Sequence, residues 1–381
     1  MSERAAAVLD RVPADWEAVV AGDPGSSPSH RAAVWEALAA TVPGFEWRLL
    51  VHHEDGLLAG GAPVILSRRG PFHWLHALPW LLPAAPLARP GAHARVELAL
   101  CDAFAGLARE RGVVGGTWSF YRPEGPRPAE GALARVPGET RWIEAALVRL
   151  AGGPEAARAG VHRKQRQALE HARARGYVFA EEAGALDEAY ALHLAQSRRW
   201  PGHRPLPLEL SRRLLAASSA AAGPVARLFT LRSPLGLVSA TLALDGPHET
   251  FAWWSGTHAE GRRTQAFALL LWSAIEWAAA HGRRRFNLGA SSGLGAVASF
   301  KHALGAERFE YPVRWLDARA AGWAGRAVVA LQARVRGSRS AAPEGRAAPG
   351  GRAAPEGHAA PEGRAAPAGR AATGAEPKAR P

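Results

Sequence analysis

From Val225 to Trp315 the chain strings its apolar runs together in an order that few folds accept. Three strand-like runs, Val225–Leu231, Gly236–Leu244 and Glu249–Ser255, follow one another directly. An apolar helix over 264–280 comes next, closed by His281-Gly282. A short buried strand, Arg285–Leu288, leads through a Gly-rich loop to a helix over 294–303 and a last strand, Arg308–Trp315. Helices before an antiparallel strand run, then helix, strand, helix, strand, predict an α/β (α+β) protein with a mixed, mainly antiparallel sheet flanked by helices.

Upstream, a looser version of the same order appears. A helix over 30–41 begins beside Ser29, a candidate cap. Trp47–Val51 and Leu57–Leu66 form a hairpin around Glu54-Asp55-Gly56. A helix over 93–110 stops at Gly112, and strands follow at Val113–Phe120 and Arg141–Leu150. Gly152-Gly153-Pro154 breaks the chain between the two versions. The expected organisation is therefore a half over 1–152 and a second over 153–317, with a helix over 318–337 and a tail over 338–381. The second half opens with a helix over 155–175, basic in its later part. A strand at Tyr177–Glu181 and helices over 186–200 and 207–222 follow.

The tail repeats a six-residue unit, Ala-Ala-Pro-Glu-Gly-Arg and its variants, across 341–376. It carries almost no core-forming side chain and should be disordered, because nothing offsets its ordering entropy. From Arg339 onward it holds seven Lys/Arg and four Asp/Glu. About +10 of the formal net charge of +13 therefore belongs to the rest of the chain. A basic surface attracts anionic partners such as phosphates, CoA, RNA or anionic lipid. Nearly all of this charge is Arg; Lys occurs only at Lys164, Lys301 and Lys378. One cysteine, Cys101, excludes a disulfide framework within the chain and a cysteine-based zinc site. His52-His53 and His73-x-x-His76 fall on opposite faces of extended chain, so no metal is expected. The uncharged stretch from Gly70 to Ala88 carries Pro71, Pro79, Pro83 and Pro86, which excludes a spanning helix. With no apolar leader at the N-terminus, the expected location is cytoplasmic, with association at the inner face of the membrane as the alternative.

The segment Phe251–Ala306 reads Phe-Ala-Trp-Trp-Ser-Gly-Thr, then a long apolar helix ending in Ala-His-Gly. Arg-Phe-Asn-Leu-Gly and Ser-Phe-Lys-His-Ala-Leu-Gly-Ala follow. With Val161-His-Arg-Lys-Gln-Arg-Gln-Ala-Leu, these runs resemble the GNAT-superfamily acetyltransferase domain of FemAB-related proteins and of exopolysaccharide- or cellulose-associated acyltransferases. The resemblance spans roughly 155–316. It implies two tandem GNAT-like folds and transfer of an acyl group from acetyl-CoA or another acyl-CoA to an amine or hydroxyl acceptor. That acceptor is a small molecule or an envelope or polysaccharide precursor. The alternative donor is aminoacyl-tRNA, in a peptidoglycan-type aminoacyltransferase. A non-enzymatic, basic nucleic-acid-binding module is the other class the charge allows.

The candidate donor site is the run Arg262, Arg263, Gln265, Ala266 and Ala268, at the start of the 264–280 helix. Small residues there would let phosphates reach the free amides and the dipole of the helix N-terminus. Lys301, a point charge in an Arg-dominated chain, is a candidate for pairing a phosphate or a reacting carbonyl. His258 is a candidate general base, and the Ser255–Gly256 amides a candidate oxyanion site. Arg163, Lys164, Trp253, Trp254 and Asn287 are candidate substrate contacts. Asn287 stands where relatives often carry Asp, and an amide cannot act as a base. Gly289-Ala290-Ser291-Ser292-Gly293 matches the nucleophile-elbow pattern, but no downstream acid and histidine complete a triad.

Overall fold

The computed structural model describes residues 5–110, 112–199, 204–219, 223–291 and 293–316. The helix expected over 318–337 and the tail lie outside them.

The first half runs β1 (Ala7–Leu9), α1 (Trp16–Gly22), α2 (Ala32–Thr41), β2 (Phe45–Glu54), β3 (Leu57–Arg69), β4 (Phe72–His76), β5 (Leu87–Ala88), α3 (His93–Ala108), β6 (Val113–Ser119), α4 (Ala132–Arg135) and β7 (Glu139–Arg149). The second runs α5 (Gly153–Ala159), α6 (Arg163–Arg173), β8 (Val178–Glu181), α7 (Leu186–Ser197), α8 (Leu208–Ala216), β9 (Ser218–Ser219), β10 (Gly223–Pro224), β11 (Ala226–Ser233), β12 (Gly236–Asp245) and β13 (Glu249–Thr257). It ends with α9 (Ala259–Arg263), α10 (Ala266–Ala280), β14 (Arg285–Asn287), α11 (Gly295–Ala303) and β15 (Glu307–Leu316).

One sheet of 13 strands carries both halves, in the order β1-β2-β3-β4-β6-β15-β7-β14-β13-β12-β11-β8, with β5 paired to β3. The pairs β4–β6 and β13–β14 are parallel; the other pairs of this sheet are antiparallel. The last strand, β15, lies between β6 and β7, while β7 crosses to pair with β14. Each half therefore completes its sheet with a strand beside the other half. The turn at Gly152 (φ 113°) and Gly153 (φ 81°), which only glycine adopts readily, carries the chain out of β7 into α5.

Helices cover the sheet on two sides. One core gathers Trp16, Trp35, Leu49, Phe104 and Trp118 of the first half with Leu186, Leu210 and Leu242 of the second, so it runs across the junction. The other packs α10 on Phe229, Leu231 and Phe286, with Leu169 of α6 against it. In α10 the run Ala266–Trp272 is buried on every side, as expected of a helix that is apolar all round.

Three expectations are corrected. The helix over 155–175 is two helices, because the chain bends at Gly160–His162 to let His162 N donate to Ala303 O, 3.0 Å. Ser29 does not cap α2; it lies buried in a single tight turn over Pro28–His30, and α2 starts at Ala32. The second long helix ends at Ala216 rather than running to 222.

Candidate active site

β13 loses a neighbour half-way along its length. Glu249, Thr250 and Phe251 pair with Arg285, Phe286 and Asn287 of β14, and there the pairing stops. The residues from Ala252 to Thr257 run on alone on that side. Against β12 the register slips so that Leu242 faces Trp254 and Ala243 faces Ala252, leaving Trp253 as a bulge. A bulge bends its strand and raises the local twist, which swings β13 away from β14. In the first half the corresponding parallel pair stays closed, from His73–Val113 to His76–Thr117. The opening is a feature of the second half alone.

Side chains take over the vacated edge. Thr257 N donates to Gln196 Oε1 at 2.9 Å, and Ser255 O accepts from His193 Nδ1 at 2.9 Å. Arg262 Nη1 donates to Thr257 O at 2.9 Å. Gln196 and His193 sit one turn apart on α7, which lies directly on β13: a Cβ on Gly256 would come 2.5 Å from His193 N. Of the expected oxyanion site at Ser255–Gly256, the Ser255 backbone lies on this vacated edge and the Gly256 backbone does not. Gly256 is in register with Ala240 of β12 and covered by α7, and Ser255 Oγ donates inward to Thr241 Oγ1. Trp254 is also interior, its Nε1 on Ser211 Oγ; Trp253 is half-buried.

The vertex where β13 and β14 part is locked by a buried polar cluster. Arg285 Nε donates to Glu249 Oε2 at 2.5 Å, and Tyr121 OH donates to the same oxygen at 2.8 Å. Asn287 Nδ2 donates to Glu249 Oε1 and Tyr121 OH, while its Oδ1 accepts from Gly289 N. Arg285 also donates to Pro24 O and Ser26 O of the first half. Burial and the Glu249 carboxylate push the Tyr121 phenol well above its ordinary value. Asn287, expected at the substrate, is instead fully enclosed, with both ends of its amide spent on the vertex.

Beyond β13 the expected donor loop forms, with a different geometry from the one its sequence suggests. His258 is the N-cap of α9, its Nδ1 accepting from Glu260 N at 3.4 Å, and is exposed; among the described residues no acidic partner orients it as a base. Gln265 caps α10 from a left-handed conformation (φ 61°), a position that glycine would fill more cheaply. Ala266 is 0% and Ala268 2% exposed, so the first amides of α10 are covered and cannot cradle a phosphate in this conformation. The groups left outside are the side chains of Arg263 and Gln265, with Arg262 half-buried. Arg163 and Lys164, at the start of α6, are exposed.

Lys301 is the candidate whose surroundings are most unusual. Phe300, its neighbour on α11, stacks on Phe267 in the first turn of α10 at 5.8 Å, tying α11 to the donor loop. Lys301 itself turns inward and is 3% exposed. Its Nζ donates to Gly289 O at 2.8 Å and Ala290 O at 2.9 Å, in the loop that follows β14. Among the described residues no carboxylate pairs with it; Glu144 acts on it only at a distance. Burial lowers its pKa from 10.5 to about 6, against the weaker pull of Glu144. A cleft of about 280 Å³ opens beside it, walled by Glu144, Ser291, Ser299, Lys301, His302 and Arg308, among others. The cleft lies where β7 and β15 meet α11, at the seam of the strand exchange. Along β7, Trp142 (63% exposed) projects from the same face as Glu144, two residues on.

Glu144, Arg308, Tyr121, His193 and Gln196 were not singled out from the sequence. They belong to elements far apart in the chain, and no local spacing marks them. Among the described residues, no group of three or more His, Cys, Asp or Glu is arranged to hold a metal ion, and no helix is long and apolar enough to cross a membrane.

Residues 155–310 match the family model of the acetyltransferase (GNAT) domain. Among solved structures, FemX is similar over 80% of this chain and 96% of its own, with a TM-score of 0.64 and 11% identity. A conserved protein of unknown function from Bacteroides thetaiotaomicron is similar over 82% of this chain and 100% of its own, with a TM-score of 0.50 and 11% identity. No curated protein matches the chain in sequence.

Proposed function

We propose, from the premise that the chain belongs to the GNAT superfamily and has the FemAB-related fold, that it moves an acyl group from acyl-CoA to an amine acceptor through the cleft beside Lys301. A hydroxyl acceptor would use the same groups. The observation that carries this reading is the buried Lys301 amine, held by two carbonyls beside the cleft, where burial lowers its pKa to about 6.

An attacking ammonium must lose one proton to solvent before it attacks the acyl carbonyl, and a second as the amide forms. A neutral Lys301 can accept it, and a base with pKa near the working pH does so most effectively. The ammonium that forms is still held by Gly289 O and Ala290 O, and Glu144 favours it at a distance. The leaving thiolate can then take the proton back, which returns the site to its starting state. Arg263 and Gln265, exposed at the start of α10, are the groups available to donor phosphates. Glu144 and Arg308, paired at 3.0 Å in the cleft wall, are available to a polar acceptor such as an envelope or polysaccharide precursor. A location in the cytoplasm, or at the inner face of its membrane, fits a CoA donor.

A second reading takes aminoacyl-tRNA as donor. The covered amides of Ala266 and Ala268 favour it, since they remove the backbone cradle for a pyrophosphate. Exposed Arg163 and Lys164 on α6 would then contact the phosphate backbone. Titration calorimetry with acetyl-CoA separates the two. Micromolar binding with turnover on amine acceptors, abolished in Lys301→Ala, supports the first. No binding by the folded protein at millimolar acetyl-CoA sinks it and leaves the tRNA donor.

A further inference from the structure

Catalysis by a neutral lysine carries a liability. An amine that can accept a proton can also attack the acyl group itself. We propose that Lys301 is an acylation site: its Nζ takes an acyl group from a small activated ester or thioester that enters the cleft, and the modified protein is switched off. The inference rests on the reading of Lys301 as the neutral amine of the site.

The geometry favours attack. Nζ is fixed at 2.8 and 2.9 Å from Gly289 O and Ala290 O, two acceptors that use two of its hydrogens. The nitrogen lone pair of the neutral amine then points away from those carbonyls. The cleft is the route by which a reagent reaches it. In the reaction Nζ adds to the acyl carbonyl carbon, the bond from that carbon to the thiolate or alkoxide breaks, and the leaving group departs with one proton from Nζ. The product is an amide and a free thiol or alcohol, with no oxidant or further reactant.

Acylation would remove the chemistry just assigned to the residue. An amide nitrogen is not basic at any relevant pH. It also retains a single N–H, so one of the two carbonyl bonds is lost. The polar groups that line the cleft with Lys301 are Glu144 of β7, Ser291 of the loop after β14, Ser299 and His302 of α11 itself, and Glu307 and Arg308 of β15. None is an amine; the Ser291 and Ser299 hydroxyls would give an ester, which hydroxylamine cleaves and the lysine amide resists. The low charge of Lys301 at neutral pH, set by burial, works in the same direction.

The chain makes the test clean, because it has three lysines. Lys164 is exposed on α6 and serves as an internal control. The full-length protein would be incubated at pH 7 with p-nitrophenyl acetate or with acetyl-CoA, digested, and each lysine quantified by mass spectrometry against time. The expected result is acetylation of Lys301 on the order of tenfold faster than of Lys164, which no pair of carbonyls holds in a cleft. Turnover should fall in step with Lys301 occupancy. Raising the pH from 7 to 9 should leave the rate at Lys301 nearly flat. Acetylation of Lys301 by p-nitrophenyl acetate but not by acetyl-CoA would uphold the nucleophile and sink the CoA donor. Preferential modification of Lys164, an unmodified Lys301 with both reagents, or full turnover at high Lys301 occupancy would overturn the inference.

Discussion

Glu249 and Arg285 face each other as the first parallel pair of β13 and β14, both 0% exposed, with Arg285 Nε 2.5 Å from Glu249 Oε2. A charge pair this deep recovers its desolvation cost only if its other lone pairs and hydrogens are satisfied. Most are: Tyr121 and Asn287 donate to the carboxylate, Pro24 and Ser26 accept from the guanidinium, and Glu124 lies 3.5 Å from it. The pair thus closes the base of the opening and ties the first half to the second.

Glu249→Gln should cost about 3 kcal/mol of unfolding free energy, because it removes the buried partner of Arg285 and leaves only the half-buried Glu124 carboxylate, 3.5 Å away. Urea unfolding followed by far-UV circular dichroism would show it as a lower midpoint with an unchanged slope. A loss under 1 kcal/mol would mean that water reaches the pair.

Much of this framework was legible in the sequence. The strand run from Val225, the α10 helix and the β14–α11–β15 tail were all readable, because period-two and helical patterns are local. The break at Gly160–His162 was not, since it depends on Ala303 accepting from His162 across the fold. The strand exchange of β7 and β15 was hidden for the same reason. Site residues divided along the same line. Lys301 stood out by its rarity among arginines, whereas Glu144, Gln196 and His193 gain meaning only from neighbours more than fifty residues away. His258 and Asn287 showed suitable chemistry in sequence, but their polar atoms are engaged in a cap and the vertex.

Gly256→Ala should loosen the open edge of β13. The added Cβ would lie 2.5 Å from His193 N and 2.7 Å from Leu192 C, both backbone atoms of α7. Overpacking of this kind costs typically ~1–3 kcal/mol. The helix must shift, and Gln196 and His193 with it. Hydrogen exchange should speed up at Ser255–Thr257 and in α7 while the first half stays protected. Uniform loss of protection would instead mean global destabilisation.

Arg263→Ala should weaken donor binding without changing stability, because the side chain is exposed and at the start of α10. A charge-assisted phosphate contact is worth ~1.5–3 kcal/mol, so the dissociation constant should rise about tenfold to a hundredfold. Added salt should shrink the difference between wild type and variant. An equal affinity at low salt would remove Arg263 from the donor site.

Lys301 should make folding depend on pH in a window that few lysines control. Its folded pKa is lowered to about 6, while the unfolded chain keeps a value near 10.5. Between these limits the unfolded chain binds a proton that the folded protein does not. Stability therefore rises with pH across that interval, and the cost of burying the amine is fully developed below about pH 6. Lys301→Met keeps the volume and removes the titration. The variant should be more stable than wild type at pH 7, by up to ~1.4 kcal/mol per pH unit between the working pH and the unfolded value. That gain should shrink as the pH approaches 10. Thermal unfolding of both proteins from pH 6 to 10 would measure it, with turnover lost in the variant throughout. A constant difference across the range would show that Lys301 is charged in the folded protein, and its role as a proton acceptor would fall with that result.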